Sequence, residues 1–163
     1  MYRITRVLSV GPFASPERAE RLRDAGVTHV LNVSDRPSEI LADGAIRDVG
    51  WVPMSDAHRL RPGKLVAALD ALHAMVCEPN SHVYVHCVLG MVRSPTILWL
   101  YLIACGLSPE VARNLIENAS PDATAGHPHM VSDEHVLLAQ KHGLANYFPH
   151  PRGDVIVAFD ERS

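Results

Sequence analysis

The alternation of apolar and polar positions divides the chain into short strands and amphipathic helices. Arg3 to Val10 alternates Ile4 with Arg6 and Thr5 with Val7, then reaches Leu8 and Val10, which predicts one strand running to the turn at Gly11-Pro12. Ser15 is placed to cap a first helix, with Pro16 and Glu17 in its first turn, Ala19, Leu22 and Ala25 as its apolar stripe and Gly26 as its stop. Val27 to Val33 is a mostly apolar strand, and residues 38–50 predict loop with one weak strand over Ala45–Val49. Leu65, Leu69, Leu72 and Val76 share one face of a helix over Arg61–Cys77. Val83 and Val85 alternate with His82, Tyr84 and His86 in a strand that ends near Cys87.

From Ser94 the pattern changes. Pro95 suits a first helical turn, Ile97 to Ile103 is apolar on every face as in a buried helix, and Gly106 closes it. Further helices begin at Ser108-Pro109 and at Ser132, the second stopped by Gly143. Strands alternating with helices predict an α/β fold: a single domain with a central, mostly parallel sheet of about four to five strands and helices on both faces. We place the domain at residues 1–149 and a tail at 150–163, whose Asp154–Phe159 stretch is strongly β-forming and apolar. Left free it would be an aggregation hazard, so it has to pair or pack, in a place the pattern does not name.

The chemistry concentrates between the strand and the buried helix. A loop feeding a helix N-terminus is a ready anion site, because unpaired backbone N–H groups and the helix dipole both favour negative charge. Here the loop runs Cys87-Val88-Leu89-Gly90-Met91-Val92-Arg93. Gly90 lets the backbone turn inward, the loop's field holds Cys87 as the nucleophilic thiolate, and Arg93 supplies a planar fork for two phosphate oxygens. Arginine accounts for 13 of 163 residues. The bare Cys-to-Arg spacing is therefore weak, but His86 before the Cys, Gly90 and Ser94 make coincidence remote.

Composition narrows the classes. With 163 residues and 47% hydrophobic content, the chain suits one domain with a substantial core. A net charge of −3 argues against a protein that coats nucleic acid or an anionic membrane. No apolar run is long enough to span a bilayer, the first residues lack the apolar core of a signal peptide, and three cysteines fit reduced thiols, so a cytoplasmic protein is expected. Cys77 and Cys105 read as packing residues, and a Cys77–Cys87 disulfide stays open without distances. His127 and His129 lie in a Gly- and Pro-containing segment with no convincing ligand partners, so no metal site is assigned.

His86-Cys87-x-x-Gly90-x-x-Arg93-Ser94 resembles the signature of the cysteine-dependent protein tyrosine phosphatases, specifically the small, atypical dual-specificity group. Gly26 to Ser34 resembles the strand before that group's variable loop. The resemblance implies a phosphatase-like fold and a metal-independent, cofactor-free protein phosphatase acting on phosphotyrosine; whether phosphoserine and phosphothreonine are accepted as well turns on pocket depth, which the sequence leaves open. In such an enzyme Cys87 attacks phosphorus to give a phosphocysteine intermediate, residues 88 to 93 hold the phosphate, Ser94 hydrogen-bonds the departing thiolate, and His86 organises the loop from behind. It also implies that Asp56, 31 positions before Cys87 in a loop of similar look, is the general acid and base. Asp48 is the alternative acid, and Asp35, with Asn32 and Ser34, is explained by turn formation. Arg59, Arg61 and Lys64 form either a solvated helix start or a rim that attracts a negative substrate.

The partner expected is a phosphorylated protein, with neither nucleic acid nor membrane; the oligomeric state is not read. The alternative is a weak or inactive phosphate-binding module, since Val92 stands where a small or polar residue often precedes the Arg. Sulfur transfer or arsenate reduction is a further class, disfavoured because in low-molecular-weight enzymes of that kind the loop lies near the N-terminus.

Overall fold

The computed structural model describes residues 1–161; residues 162–163, the end of the expected tail, lie outside the described residues. The elements are β1 (Tyr2–Arg3), β2 (Leu8–Gly11), α1 (Pro16–Asp24), β3 (His29–Asn32), β4 (Asp48–Trp51), α2 (Pro62–Cys77), β5 (Val83–His86), α3 (Arg93–Ala104), α4 (Pro109–Ala119) and α5 (Asp133–Asn146), with a 3-10 turn at Gly153–Ile156. The sheet has five strands in the order β1-β2-β5-β3-β4. All neighbours are parallel except β1 on β2.

Strand alternation gives each face its own core. Leu31, Val83 and Val85 point to the face covered by α2 and α3, whereas Val30 and Tyr84 point to the other, under Ala19 and Leu22 of α1 and Ile46 of the following loop. All 12 residues of α3 are buried, because the sheet lies beneath it and α2, α4 and α5 surround it. This is the expected α/β domain with helices on both faces. None of its described helices is long and apolar enough to cross a membrane.

Four local expectations change. Arg3–Val10 is not one strand: Thr5 Oγ1 accepts from the N–H groups of Val7 (3.2 Å) and Leu8 (3.1 Å), and this turn folds β1 back on β2. The weak strand starts at Asp48, later than Ala45, because Asp43 Oδ1 accepts from the N–H groups of Ala45 and Ile46 and makes a turn there. Ser15 precedes α1 but its side chain makes no cap hydrogen bond. Gly143 does not end α5, which runs on to Asn146. Its glycine serves a close crossing, since a Cβ there would meet the Ala104 carbonyl oxygen at 2.0 Å.

The β-forming tail contributes a single bridge, Thr5 with Ala158, flanked by Arg6 N–H to Val157 O (3.1 Å) and Phe159 N–H to Ile4 O (3.3 Å). Val155 is buried against the main core.

The α3–α5 crossing gives a sign test. Glycine to alanine in an open helix stabilises by about 1 kcal/mol. At Gly143 the change overpacks a backbone contact, so Gly143→Ala is expected to destabilise by about 2–3 kcal/mol. Urea unfolding of the two proteins measures it.

Candidate active site

In open α/β sheets ligands bind beyond the carboxyl ends of the strands, where the strand order reverses. Asn32 pairs with His86 on one side and Trp51 on the other, so three chain segments leave the sheet side by side. They carry Asp35 after β3, Asp56 after β4, and the Cys87–Arg93 loop after β5. Asp56 and the loop residues, Gly90 excepted, line a pocket of about 370 Å³.

The loop is turned so that its carbonyls face outward. Val88 O accepts from Phe13 N–H (2.9 Å) and Met91 O from Thr124 N–H (2.7 Å). His86 Nδ1–H donates to Cys87 O at 2.9 Å. Burial drives the His86 pKa down to about 4 against the opposing pull of that bond, so the ring is neutral and the proton sits on Nδ1. None of the backbone N–H groups from Val88 to Arg93 donates to an oxygen or ring nitrogen among the described residues. Gly90 adopts φ +75°, and a Cβ there would lie 2.5 Å from the Gly11 carbonyl carbon, so only glycine lets the loop seat on the end of β2.

Cys87 is nearly buried, at 3% exposure. Burial opposes its ionisation, but the Ser94 hydroxyl (Oγ to Sγ 3.3 Å), the N–H groups of Ser94 and Gly90 and the Arg93 charge together outweigh it, and the thiol is held below its ordinary value. The other cysteines go the opposite way. Burial raises Cys77, and pushes Cys105 up to about 12. Of the three thiols only Cys87 is shifted toward ionisation.

Arg93 is held by one edge. Its Nη1 donates to Asp35 Oδ1 (3.0 Å) and to Met54 O (3.1 Å), while Nη2 lies 3.9 Å from Asp56 Oδ2. Fixing Nη1 leaves Nε and Nη2 as the pair of parallel donors that a phosphate accepts. The hydrogen bond to Arg93 holds the Asp35 carboxyl below the usual carboxylate range.

Residues 8–140 match the family model described as PTP-SAK, Swiss Army Knife protein, DSP-PTPase phosphatase domain. The chain belongs to this dual-specificity phosphatase family. It is 34% identical to human dual specificity protein phosphatase 5 over 97 residues, which is 59% of this chain and 24% of that protein. The solved structure of human DUSP28 superposes with a TM-score of 0.70 at 25% identity, covering 89% of this chain and 99% of that one. PTPMT1 in complex with PI(5)P gives 0.72 at 20% identity, over 88% and 96%, a likeness of fold.

In this phosphatase domain Asp48 begins β4, at the end of the sheet away from Cys87, and does not serve as an alternative acid. Asp35 was legible only as a turn former: Asn32 and Ser34 do make the turn, and Asp35 then reaches Arg93, 58 positions away in sequence. The His-rich segment also belongs to the site. His129 Nε2–H donates to the backbone carbonyl of Asp56. His135 Nε2–H donates to Leu60 O (2.6 Å), and Leu60 N–H donates to Met130 O (2.8 Å), so the loop that carries Asp56 is pinned at its far end. Helix-start spacing at Ser132 hints at His135, whose Nδ1 accepts from Ser132 N–H at 3.0 Å, but nothing local signals Leu60.

Cys77 lies at the opposite end of β5 from Cys87, a strand length of roughly 13 Å at about 3.3 Å per residue, too far for the disulfide left open above. Its neighbours are His73 and His150, with ligand-type atoms all within 4.8 Å of one another. Their hydrogen bonds form a chain. Arg152 N–H donates to His150 Nδ1 (3.0 Å), which leaves the proton on Nε2 to donate to Tyr101 Oη (3.0 Å), whose O–H donates to His73 Nδ1 (2.9 Å). A protonated Nε2 is not a metal ligand, and the cluster reads as a clasp holding the tail to α2 and α3.

Two measurements check the electrostatics. Ser94→Ala removes a hydrogen bond to the thiolate, so the pH midpoint of Cys87 alkylation by iodoacetamide is expected to move up. Asp35→Ala frees Arg93 Nη1, and turnover efficiency on a small aryl phosphate is expected to fall about three- to tenfold. Asp35→Asn, which keeps the acceptor oxygen, is expected to restore most of it.

Proposed function

We propose that this protein hydrolyses phosphotyrosine in proteins, and phosphoserine and phosphothreonine by the same route, without a metal or cofactor. The observation that supports the reading best is the pairing of one pKa-lowered thiol with a ring of backbone N–H groups that, among the described residues, donate to no oxygen or ring nitrogen, and with a one-edge-fixed arginine, all at the foot of one pocket.

The Cys87 thiolate attacks phosphorus in line as the bond to the leaving oxygen breaks, and Asp56 gives that oxygen its proton. Arg93 and the N–H groups of residues 88–93 hold the three equatorial oxygens, whose charge changes little in position through the step. Water then attacks the phosphocysteine, its proton passes to the Asp56 carboxylate, and the S–P bond breaks to release inorganic phosphate. The Ser94 hydroxyl donates to the departing thiolate. The two aspartates divide the work: Asp35, tied to Arg93 and held ionised, is a poor proton donor, whereas Asp56 stands at the pocket mouth without a hydrogen-bond clamp on its carboxylate.

The rim favours an aryl ester. Leu89 and Met91, 70% and 42% exposed, flank the nucleophile and offer an apolar wall to a tyrosine ring. The loop contains neither Lys nor Asp between Cys87 and Arg93 to meet further phosphates of an inositol ring. A thiol nucleophile needs a reducing compartment, in keeping with a cytoplasmic setting.

Hydrolysis of p-nitrophenyl phosphate in excess chelator tests the reading. Cys87→Ser is expected to abolish turnover, and Asp56→Asn to lower kcat by about 10²-fold and flatten the basic limb of the pH profile. Wild-type protein that binds vanadate yet turns nothing over would make it a phosphate-binding module. Activity persisting in Cys87→Ser would remove the nucleophile assignment.

A further inference from the structure

The loop that carries Asp56 also walls a second pocket, of about 260 Å³, lined by Pro53 to Ser55, by His58 to Arg61 and by Lys64 in the first turn of α2. No carboxylate lines it. Arg59, Arg61 and Lys64 make no ion pair and no side-chain hydrogen bond among the described residues. Arg23, Arg36, Arg47, Arg93 and Arg152 each lie against a carboxylate, whereas among the described residues Arg18, Arg21 and Arg113 do not; what sets Arg59, Arg61 and Lys64 apart is that three unpaired cations gather at one pocket.

Three unpaired cations around one concavity repel each other, and they do so on a chain whose net charge is −3. Arg59 and Arg61 are exposed, so water screens that repulsion in part, and no carboxylate among the described residues pairs with any of the three. The wall is also fixed: Leu60, between the two arginines, is buried and bonded through both its N–H and its carbonyl. Both arginines therefore spring from anchored backbone, and only their side chains need ordering to meet an anion.

We propose that this pocket is an anion subsite for the substrate chain. It receives the carboxylate or second phosphate of a residue a few positions from the phosphotyrosine, so that the protein selects phosphotyrosine peptides with acidic neighbours. The proposal rests on the phosphatase reading above. The geometry supplies the reach: one short loop separates the two pockets, and an extended peptide advances about 3.3 Å per residue, so a near neighbour of a phosphotyrosine seated on Cys87 crosses that loop.

The test compares two phosphotyrosine peptides that differ only in Glu against Gln at the positions within three residues of the phosphotyrosine. Preference is the ratio of kcat/KM for the two, taken within each protein so that any change in basal rate cancels. Wild type is expected to favour the acidic peptide about five- to tenfold, mainly through KM and less so as salt rises. In Arg59→Gln/Arg61→Gln/Lys64→Gln the ratio is expected to fall to within about twofold of unity. A wild-type ratio of unity, or a ratio unchanged in the triple variant, overturns the proposal. So does a three-cation dependence seen only with vesicles carrying a phosphoinositide, which would make the ligand a lipid headgroup. If wild type fails to hydrolyse p-nitrophenyl phosphate, the phosphatase reading fails by itself. The same peptides binding to Cys87→Ser, with and without the three cations, then decide the subsite separately.

Discussion

The fold turns on the orientation of one short loop. For a buried thiol such as Cys87 to be held below its ordinary pKa, donors must converge on it, and the nearest donors are the loop's own N–H groups. They face inward only because the carbonyls of Cys87, Val88 and Met91 are engaged from outside, by His86, by Phe13 at the end of β2 and by Thr124 beyond α4. An unsatisfied buried carbonyl would turn toward the pocket and cancel the field there. The strand beneath, the neutral histidine beside it and the glycine seated on β2 are thus parts of one electrostatic device.

Much of this was legible because it is local. A strand, a turn residue and an all-apolar helix follow one another within residues 82–105, so periodicity alone placed Cys87 to Arg93 between a sheet and a helix N-terminus. The central strands were legible too, β2 and β5 from alternation and β3 as a mostly apolar run, although all three prove to be buried on both faces, polar residues included. The edge did not. β4 is half exposed and contains Gly50 and Asp48, so it lacks both the run and the alternation, and β1 is two residues set apart by a side-chain-made turn.

The illegible part of the site is made of contacts across long sequence separation. Asp35 meets Arg93, His129 meets Asp56, and His135 meets Leu60, each pair joined only by the closing of the sheet and the return of the last helix. A composition-based reading sees two histidines near Pro and Gly as a surface turn, and an aspartate after a strand as a turn former. Both descriptions hold locally and both omit what the side chains touch. The tail teaches the same point from the other side. Its β-forming sequence makes one bridge, while polar residues do the holding: Arg152 donates to Glu78 O (3.1 Å) and Ser81 Oγ (3.1 Å) past the end of α2, and its N–H fixes the ring of His150.

The charges around the pocket are sorted by what already satisfies them. Arg93 is inside, held by a carboxylate and a carbonyl on one edge, which fixes the free edge in space before any anion arrives. Arg59 and Arg61 are outside, fixed at the backbone and, among the described residues, without a side-chain partner. A preformed cation close to the nucleophile lowers the cost of holding the transition state, because its ordering is complete before substrate binds. An unordered cation on the rim gives up its freedom only when an anion meets it, so it adds to encounter and selection and little to the chemical step. The same residue type is therefore held on one edge in one pocket and, among the described residues, unpaired in the next, with the Asp56 loop, pinned at its far end, between them.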